Sequence, residues 1–402
     1  MAFRNDRLRV LQVTPTLGPG GAEHVAAFLA TAFMVPRSVA LCSAHGGTYA
    51  QSLHARHVTF RVFEPAWRQV RRNNVVLRKW RGWRAQHLQM PALSSQSVFL
   101  APQKGFPQSI PGFPEWFAAI LDRSTYQVVH LHQLSCLGLG EIAKAKVETV
   151  IYGQHNILSE RHGQEDIVFL KQQLQKVDRV VCASKTCLDD FVRVIGYPCH
   201  NTVVIPNPSF LASGLKRNIK EIRTVGTVSN LNLVKGIDIL LEAWKLIMKR
   251  WNLGSLHIAG GSHGDIAYWR SVAEKMNLGS TVHFLGAPTS EAGMHRFYDT
   301  IDAVVVPSRT ESFPLLAVEA LSRGIPVIAS DIPALRETVG DAGLFFPTED
   351  PVELSNCVER LVKDPALVAR LSHAGHERWR EKYSPGMIKS SYEHVYRGAS
   401  QR

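Results

Sequence analysis

The chain has 402 residues, 45% of them hydrophobic and 20% charged, with a formal charge of +12. That length exceeds one ordinary core and fits two α/β domains, with the composition of a soluble globular protein. The basic balance suits phosphate-bearing substrates, an anionic membrane or nucleic acid, but no nucleic-acid motif supports the last; an ordinary basic background stays open.

In chain order, Leu8–Thr14 reads as a buried strand, Pro15–Gly21 as a Gly-rich turn and Ala22–Ala30 as an apolar-striped helix. Glu64–Met90 then breaks the pattern. It carries Arg68, Arg71, Arg72, Arg78, Lys79, Arg81 and Arg84 with Trp67, Trp80 and Trp83 interleaved, and Glu64 as its one acid. Pro91–Pro114 is a loop rich in Pro, Ser and Gln. Short apolar strands follow at Val128–His132, Val150–Tyr152 and Arg179–Ala183, and a linker is expected from Pro206–Ser209 through Ser213–Gly214.

The second half repeats the opening: a strand at Ile222–Val228, a loop ending at Lys235–Gly236 and a helix over Ile237–Lys249. Further strands are expected at Ser255–Ala259, Val282–Leu285, Ala303–Val306 and Pro326–Ala329, and an amphipathic helix at Pro385–Arg397. Near-continuous apolar strands suit parallel sheets covered on both faces. Strand, Gly loop and helix place backbone N–H groups and a positive helix end beside a phosphate. One such unit is weak evidence; two at corresponding places suggest paired Rossmann-like domains.

No apolar run reaches the roughly 18–20 residues of a membrane span. No signal-peptide core follows the charged Met1–Arg9, so the protein is expected in the cytoplasm. Cys42, Cys136, Cys182, Cys187, Cys199 and Cys357 form no C-x-x-C pair and no zinc spacing, and are expected as free, mostly buried thiols.

The run Asp302-Ala-Val-Val-Val-Pro-Ser-Arg-Thr-Glu311-Ser-Phe-Pro-Leu-Leu-Ala-Val-Glu319-Ala320, continuing to Gly324, Pro326 and Asp331, resembles the family-4 retaining glycosyltransferases of the GT-B fold. It carries that family's Glu-x7-Glu element. The resemblance extends to Gly20–Glu23, Val129–His132, Asp178–Ser184, Ile205–Asn207, Lys235–Gly236 and Phe284–Gly286, leaving out about residues 60–120. It implies an α/β protein of two Rossmann-like domains facing each other across a cleft. The N-terminal acceptor domain would span 1–210, with the basic insert at about 60–120. The C-terminal donor domain would span 215–383, and a helix over 384–402 would cross back.

The resemblance also implies roles. Glu311 would accept hydrogen bonds from the transferred sugar and Glu319 from the ribose. Ser312, Phe313, Pro314 and Leu315 would open a helix whose N–H groups face the diphosphate. Lys235 would neutralise the leaving phosphate. His155 matches a position close to the anomeric carbon, although a lone His after a strand is usually structural. Gly20 and Gly21 would let the first loop approach the donor. In the family an Arg stands five residues before the Lys; here it is Asn230, which can donate a hydrogen bond without charge. Arg309 is a substitute cation only if it points inward. For His130 and His132 packing is the better default.

No D-x-D motif appears, so no metal is expected and the nucleotide sugar is the co-substrate. The expected activity is that of a retaining hexosyltransferase. It would use a UDP-sugar ahead of a GDP-sugar, with the base at the Leu285–Pro288 loop, and a hydroxyl acceptor: a glycan, a glycolipid or a small molecule. Cell-surface polysaccharide, lipopolysaccharide or glycolipid assembly is the expected setting. A natural-product glycosyltransferase with a small soluble acceptor and a GT-B sugar-nucleotide epimerase are the alternatives, followed by a non-catalytic binding subunit. The Trp–Arg stretch over residues 67–84 suits peripheral contact with an anionic membrane at its inner face, or is a plain basic helix beside the acceptor.

Overall fold

Strands such as Ala303-Val-Val-Val306 are apolar on both faces, and a strand of that kind is stable only when covered on both sides. The computed structural model describes residues 9–14, 25, 26, 28–30, 39–43, 60–62, 113–123, 126–161, 163–196, 201–209, 218–251, 254–288 and 291–399. Gly20, Gly21, Trp67, Trp80, Trp83 with the neighbouring arginines, and the Pro91–Pro114 loop up to residue 112 lie outside the described residues.

The described residues group into two compact units. The first holds residues up to Gln154, Gly163–Val181 and those from Glu393 onward. Its strands are β1 (Val10–Thr14), β2 (Val39–Ser43), β3 (Phe60–Val62), β4 (Val128–His132), β5 (Thr149–Gln154) and β6 (Arg179–Cys182). They lie in the order β3-β2-β1-β4-β5-β6, and the pairings from β3 to β5 are parallel. Every residue of β1, β4 and β5 is buried. His130 and His132 sit within β4. The His132 ring nitrogen Nε2 lies 2.8 Å from Gln12 Oε1. Gln12 Nε2 in turn donates to the Tyr396 hydroxyl at 2.9 Å, which lies 3.0 Å from His130 Nδ1. This buried polar cluster gives both histidines a packing role.

The second unit holds His155–His162 and Cys182–Tyr392. After β7 (Thr202–Val204) come β8 (Thr224–Ser229), β9 (Ser255–Gly260), β10 (Val282–Gly286), β11 (Ala303–Val306), β12 (Val327–Ser330) and β13 (Gly343–Phe346). The last six form a parallel sheet ordered β10-β9-β8-β11-β12-β13. Both sheets thus follow the doubly wound 3-2-1-4-5-6 order, with the direction of winding reversing between β1 and β4 and between β8 and β11. Ligands in such folds bind outside the strand ends at that reversal.

The helix Ile237–Arg250 buries Ile237, Leu240, Leu241 and Trp244 on one side of this sheet. The helix Leu315–Ser322 is buried over its last six residues, Glu319 included. The final helix runs Pro385–Ala399, its residues to Tyr392 grouping with the second unit and those from Glu393 with the first. Cys136, Cys182, Cys187 and Cys357 are buried. Among the described residues no helix is long and apolar enough to cross a membrane, and no three His, Cys, Asp or Glu side chains gather as metal ligands.

Candidate active site

At the winding reversal of the second sheet two loops meet, one after β8 and one after β11. The first passes through Leu231, buried and held at φ 51°, whose carbonyl accepts from Trp269 Nε1 at 2.7 Å. Asn232 Oδ1 caps the short 3₁₀ turn Leu233–Lys235 by accepting from the Lys235 N–H at 3.2 Å. Gly236 then takes φ 64°, and a Cβ there would lie 2.0 Å from the Pro307 carbonyl oxygen. Only glycine permits both the left-handed backbone and this approach. The approach brings Lys235 Nζ to 2.5 Å from Glu311 Oε1, an oxygen that also accepts from Ser308 Oγ at 2.8 Å. The Lys235 and Glu311 side chains are 20% and 13% exposed, so the pair is reachable yet poorly screened.

Beyond Glu311 the chain enters its helix at Leu315, three residues later than Ser312, because Pro314 is the N-cap with ψ 84°. No side chain caps this end. The helices at Lys185, His263, Pro351 and Pro365 are capped by Ser184, Ser262, Asp350 and Asp364. An uncapped helix N-terminus keeps its partial positive charge available to an anion. Two contacts fix the entry. The Ser312 carbonyl accepts from Ser184 Oγ at 2.6 Å, and Phe313 packs with Ala183, Val318 and Tyr383.

Glu319 lies on the same helix with its carboxylate inside the protein. Tyr298 Oη donates to Oε2 at 2.8 Å and Ser209 Oγ to Oε1 at 3.2 Å. Burial pushes its pKa up to about 7, against the opposing pull of Tyr298, Ser209 and Arg323. A carboxylate has about four lone-pair positions, so two donors leave capacity for further hydroxyls. Ser209 falls in the Pro206–Ser209 stretch expected as linker. There both Asn207 and Ser209 are buried, because their side chains serve this unit.

His155 follows β5 and is buried. Desolvation lowers its pKa to about 4 despite a hydrogen bond with the Asn207 side chain, so the imidazole is neutral at pH 7. Its segment is anchored by Asp190. Asp190 Oδ2 accepts from the Leu158 N–H at 2.6 Å and Oδ1 from Ser159 Oγ at 2.6 Å.

Asn230 is exposed on the loop after β8. Arg309 does not point inward as a substitute cation: it is tied to Asp238 and Glu349. A pocket of about 310 Å³ lies beside the Gly286–Pro288 loop, lined also by Arg296 and Phe297. The structure thus brings Lys235, Glu311, Ser312, Phe313, Pro314, Leu315 and Glu319 into one loop-and-helix constellation, with His155 and Asn230 in the same unit. Sequence reading missed Ser308, Tyr298 and Ser209; the signal for Tyr298 and Ser209 was a Glu inside an apolar helix, which demands buried donors.

Two family descriptions cover most of the chain: "Glycosyltransferase Family 4" matches residues 43–209 and "Glycosyl transferases group 1" residues 222–364. The chain belongs to the family-4 glycosyltransferases of the GT-B fold. Among curated members of this family, an uncharacterised glycosyltransferase of Haemophilus influenzae is 25% identical over 179 residues, 44% of this chain and 50% of that protein. The D-inositol 3-phosphate glycosyltransferase of Corynebacterium jeikeium is 32% identical over 171 residues, 39% of this chain and 41% of that protein. The match spans half the length of these relatives or less. Anabaena HepE, solved in complex with UDP, superposes with a TM-score of 0.76 at 17% identity, over 97% of this chain and all of that one. That likeness shows the GT-B fold.

Proposed function

We propose that this family member is a retaining, metal-independent glycosyltransferase that moves a hexose from a UDP-sugar to a hydroxyl on a glycan, glycolipid or small molecule. The observation that carries the reading is the Lys235–Glu311 contact at the winding reversal, beside an uncapped helix N-terminus. Breaking a glycosyl–phosphate bond puts negative charge on the diphosphate and positive charge on the anomeric carbon. A cation, a helix dipole and a carboxylate within one constellation answer both needs.

On donor binding the phosphate takes the Lys235 ammonium, and the Glu311 carboxylate turns to the sugar hydroxyls. Glu319 accepts from the ribose with the capacity its two present donors leave. The neutral imidazole of His155 donates one hydrogen bond near the anomeric carbon without adding charge. The acceptor oxygen bonds to that carbon as the bond to phosphate oxygen breaks, and the acceptor proton passes to the leaving phosphate. UDP is favoured over GDP because HepE is solved with UDP and with UDP-glucose, and the Gly286–Pro288 pocket is the place for the base.

The test is thermal stabilisation by UDP, GDP, ADP and their sugars, followed by incubation with the stabilising sugar nucleotide. Stabilisation by UDP and release of UDP from its sugar, both reduced by Lys235→Ala, are expected. Stabilisation by GDP alone would change the donor, and none by any nucleotide would sink the reading. Conversion of the sugar without release of UDP would make the chain an epimerase.

A further inference from the structure

We infer that Arg309 is a positioning residue that sets the approach of Lys235 to Glu311, an inference that rests on the donor reading above. Arg309 stands two residues before Glu311, yet its side chain turns away from it. Nε and Nη2 donate to Glu349 Oε1 and Oε2 at 2.5 and 2.7 Å. Nη1 and Nη2 donate to Asp238 Oδ1 and Oδ2 at 3.0 and 2.8 Å, and Nη1 also donates to the Leu233 carbonyl. A guanidinium has five N–H donors in a rigid fork, and here each has an acceptor. The Arg309 backbone N–H adds a bond to the Val234 carbonyl at 2.8 Å.

These partners belong to three separate segments. Leu233 and Val234 are the turn that presents Lys235. Asp238 lies in the first turn of the helix that follows. Glu349 precedes the helix Pro351–Lys363 and holds φ 70°, a conformation unfavourable for a residue with a Cβ. Burial alone would raise the Asp238 pKa, but its hydrogen bonds with Arg309 hold it below the usual value, so the cradle stays anionic. A fully engaged fork cannot turn to a phosphate without giving up these bonds. It fixes the turn instead, and through it the lysine.

The experiment uses the full chain as Arg309→Lys and Glu349→Gln, each alone and with Lys235→Ala. It reads the melting temperature, the Kd for UDP, kcat and KM for UDP-glucose, and ligand-free hydrogen exchange at Leu233–Lys235. Arg309→Lys keeps the charge and loses the fork. It is expected to change UDP affinity less than about threefold and to lower kcat at least about tenfold. Glu349→Gln, at a half-exposed site, gives a smaller loss in the same direction. On the Lys235→Ala background both losses vanish, because the residue they act through is gone. Losses that multiply with Lys235→Ala, or an unchanged kcat in a folded Arg309→Lys, overturn the inference. Failure of the wild type to turn over any nucleotide sugar is a failure of the donor reading. In that case unchanged exchange at Leu233–Lys235 in Arg309→Lys still overturns the clamp.

Discussion

Lys235 and Glu311, 76 residues apart in sequence, meet with Nζ 2.5 Å from Oε1. The pair is preorganised by Gly236 on one side and Ser308 on the other, and each partner satisfies the other. Losing one preorganised donor to developing charge typically costs about 100- to 1,000-fold in rate. Lys235→Ala is expected to lower kcat for a nucleotide sugar by that order, and Glu311→Gln to lower it as well. Both are measured as nucleotide release. A loss confined to KM would remove Lys235 from the transition state.

Glu319 makes the pH dependence of stability specific. Its folded pKa of about 7 lies above the ordinary 4.5, so the folded state binds the proton more tightly than the unfolded chain does. The sign follows: its contribution is fully present below about pH 4.5 and is lost as the pH rises through about 7. The difference corresponds to roughly 3 kcal/mol across that window. Glu319→Gln should flatten the urea-unfolding profile between pH 5 and about pH 8 while weakening UDP binding. An unchanged slope would show that the carboxylate is not the group titrating.

Gly236→Ala tests the loop approach. Its Cβ would meet the Pro307 oxygen at 2.0 Å, at a backbone angle of φ 64°. Pulling the two loops apart is expected to destabilise the protein by about 2–3 kcal/mol in denaturant unfolding. Turnover should fall further than UDP affinity, since Glu319, the proposed ribose contact, is held by Tyr298 and Ser209 on other elements.

Asn230→Arg supplies a second cation beside the same loop. Because Asn230 is exposed, the change is expected to leave the melting temperature within a few degrees, roughly the effect of a surface substitution. It should tighten UDP binding more at low than at high salt. A salt-independent affinity would mean that this position does not face the phosphates.

Much of the second unit was legible in the sequence. Ala303–Val306 is an apolar run bounded by Asp302 and Pro307, and the Glu311–Glu319 spacing survives into the structure. Less legible was what surrounds each carboxylate. Ser209 sits in a Pro-rich stretch that reads locally as linker, and its burial comes from a partner 110 residues away. Arg309 reads as a spare cation until Asp238 and Glu349 are seen closing on it. The strands at Val39–Ser43, Phe60–Val62 and Gly343–Phe346 were not among those expected. Local patterns state a residue's chemistry; the partners that spend it come from distant parts of the chain.

The second unit is assembled from His155–His162 and Cys182–Tyr392, two stretches divided by a segment of the first. A gene fragment beginning near residue 215 would therefore encode the Lys235 and Glu311 loops without Ser184, Asn207 and Ser209. It would leave the Ser312 carbonyl without its donor and Glu319 with one of its two. Exchange of C-terminal halves between relatives by a single cut at the apparent linker would thus transplant an incomplete module. A graft that keeps its specificity must carry both stretches.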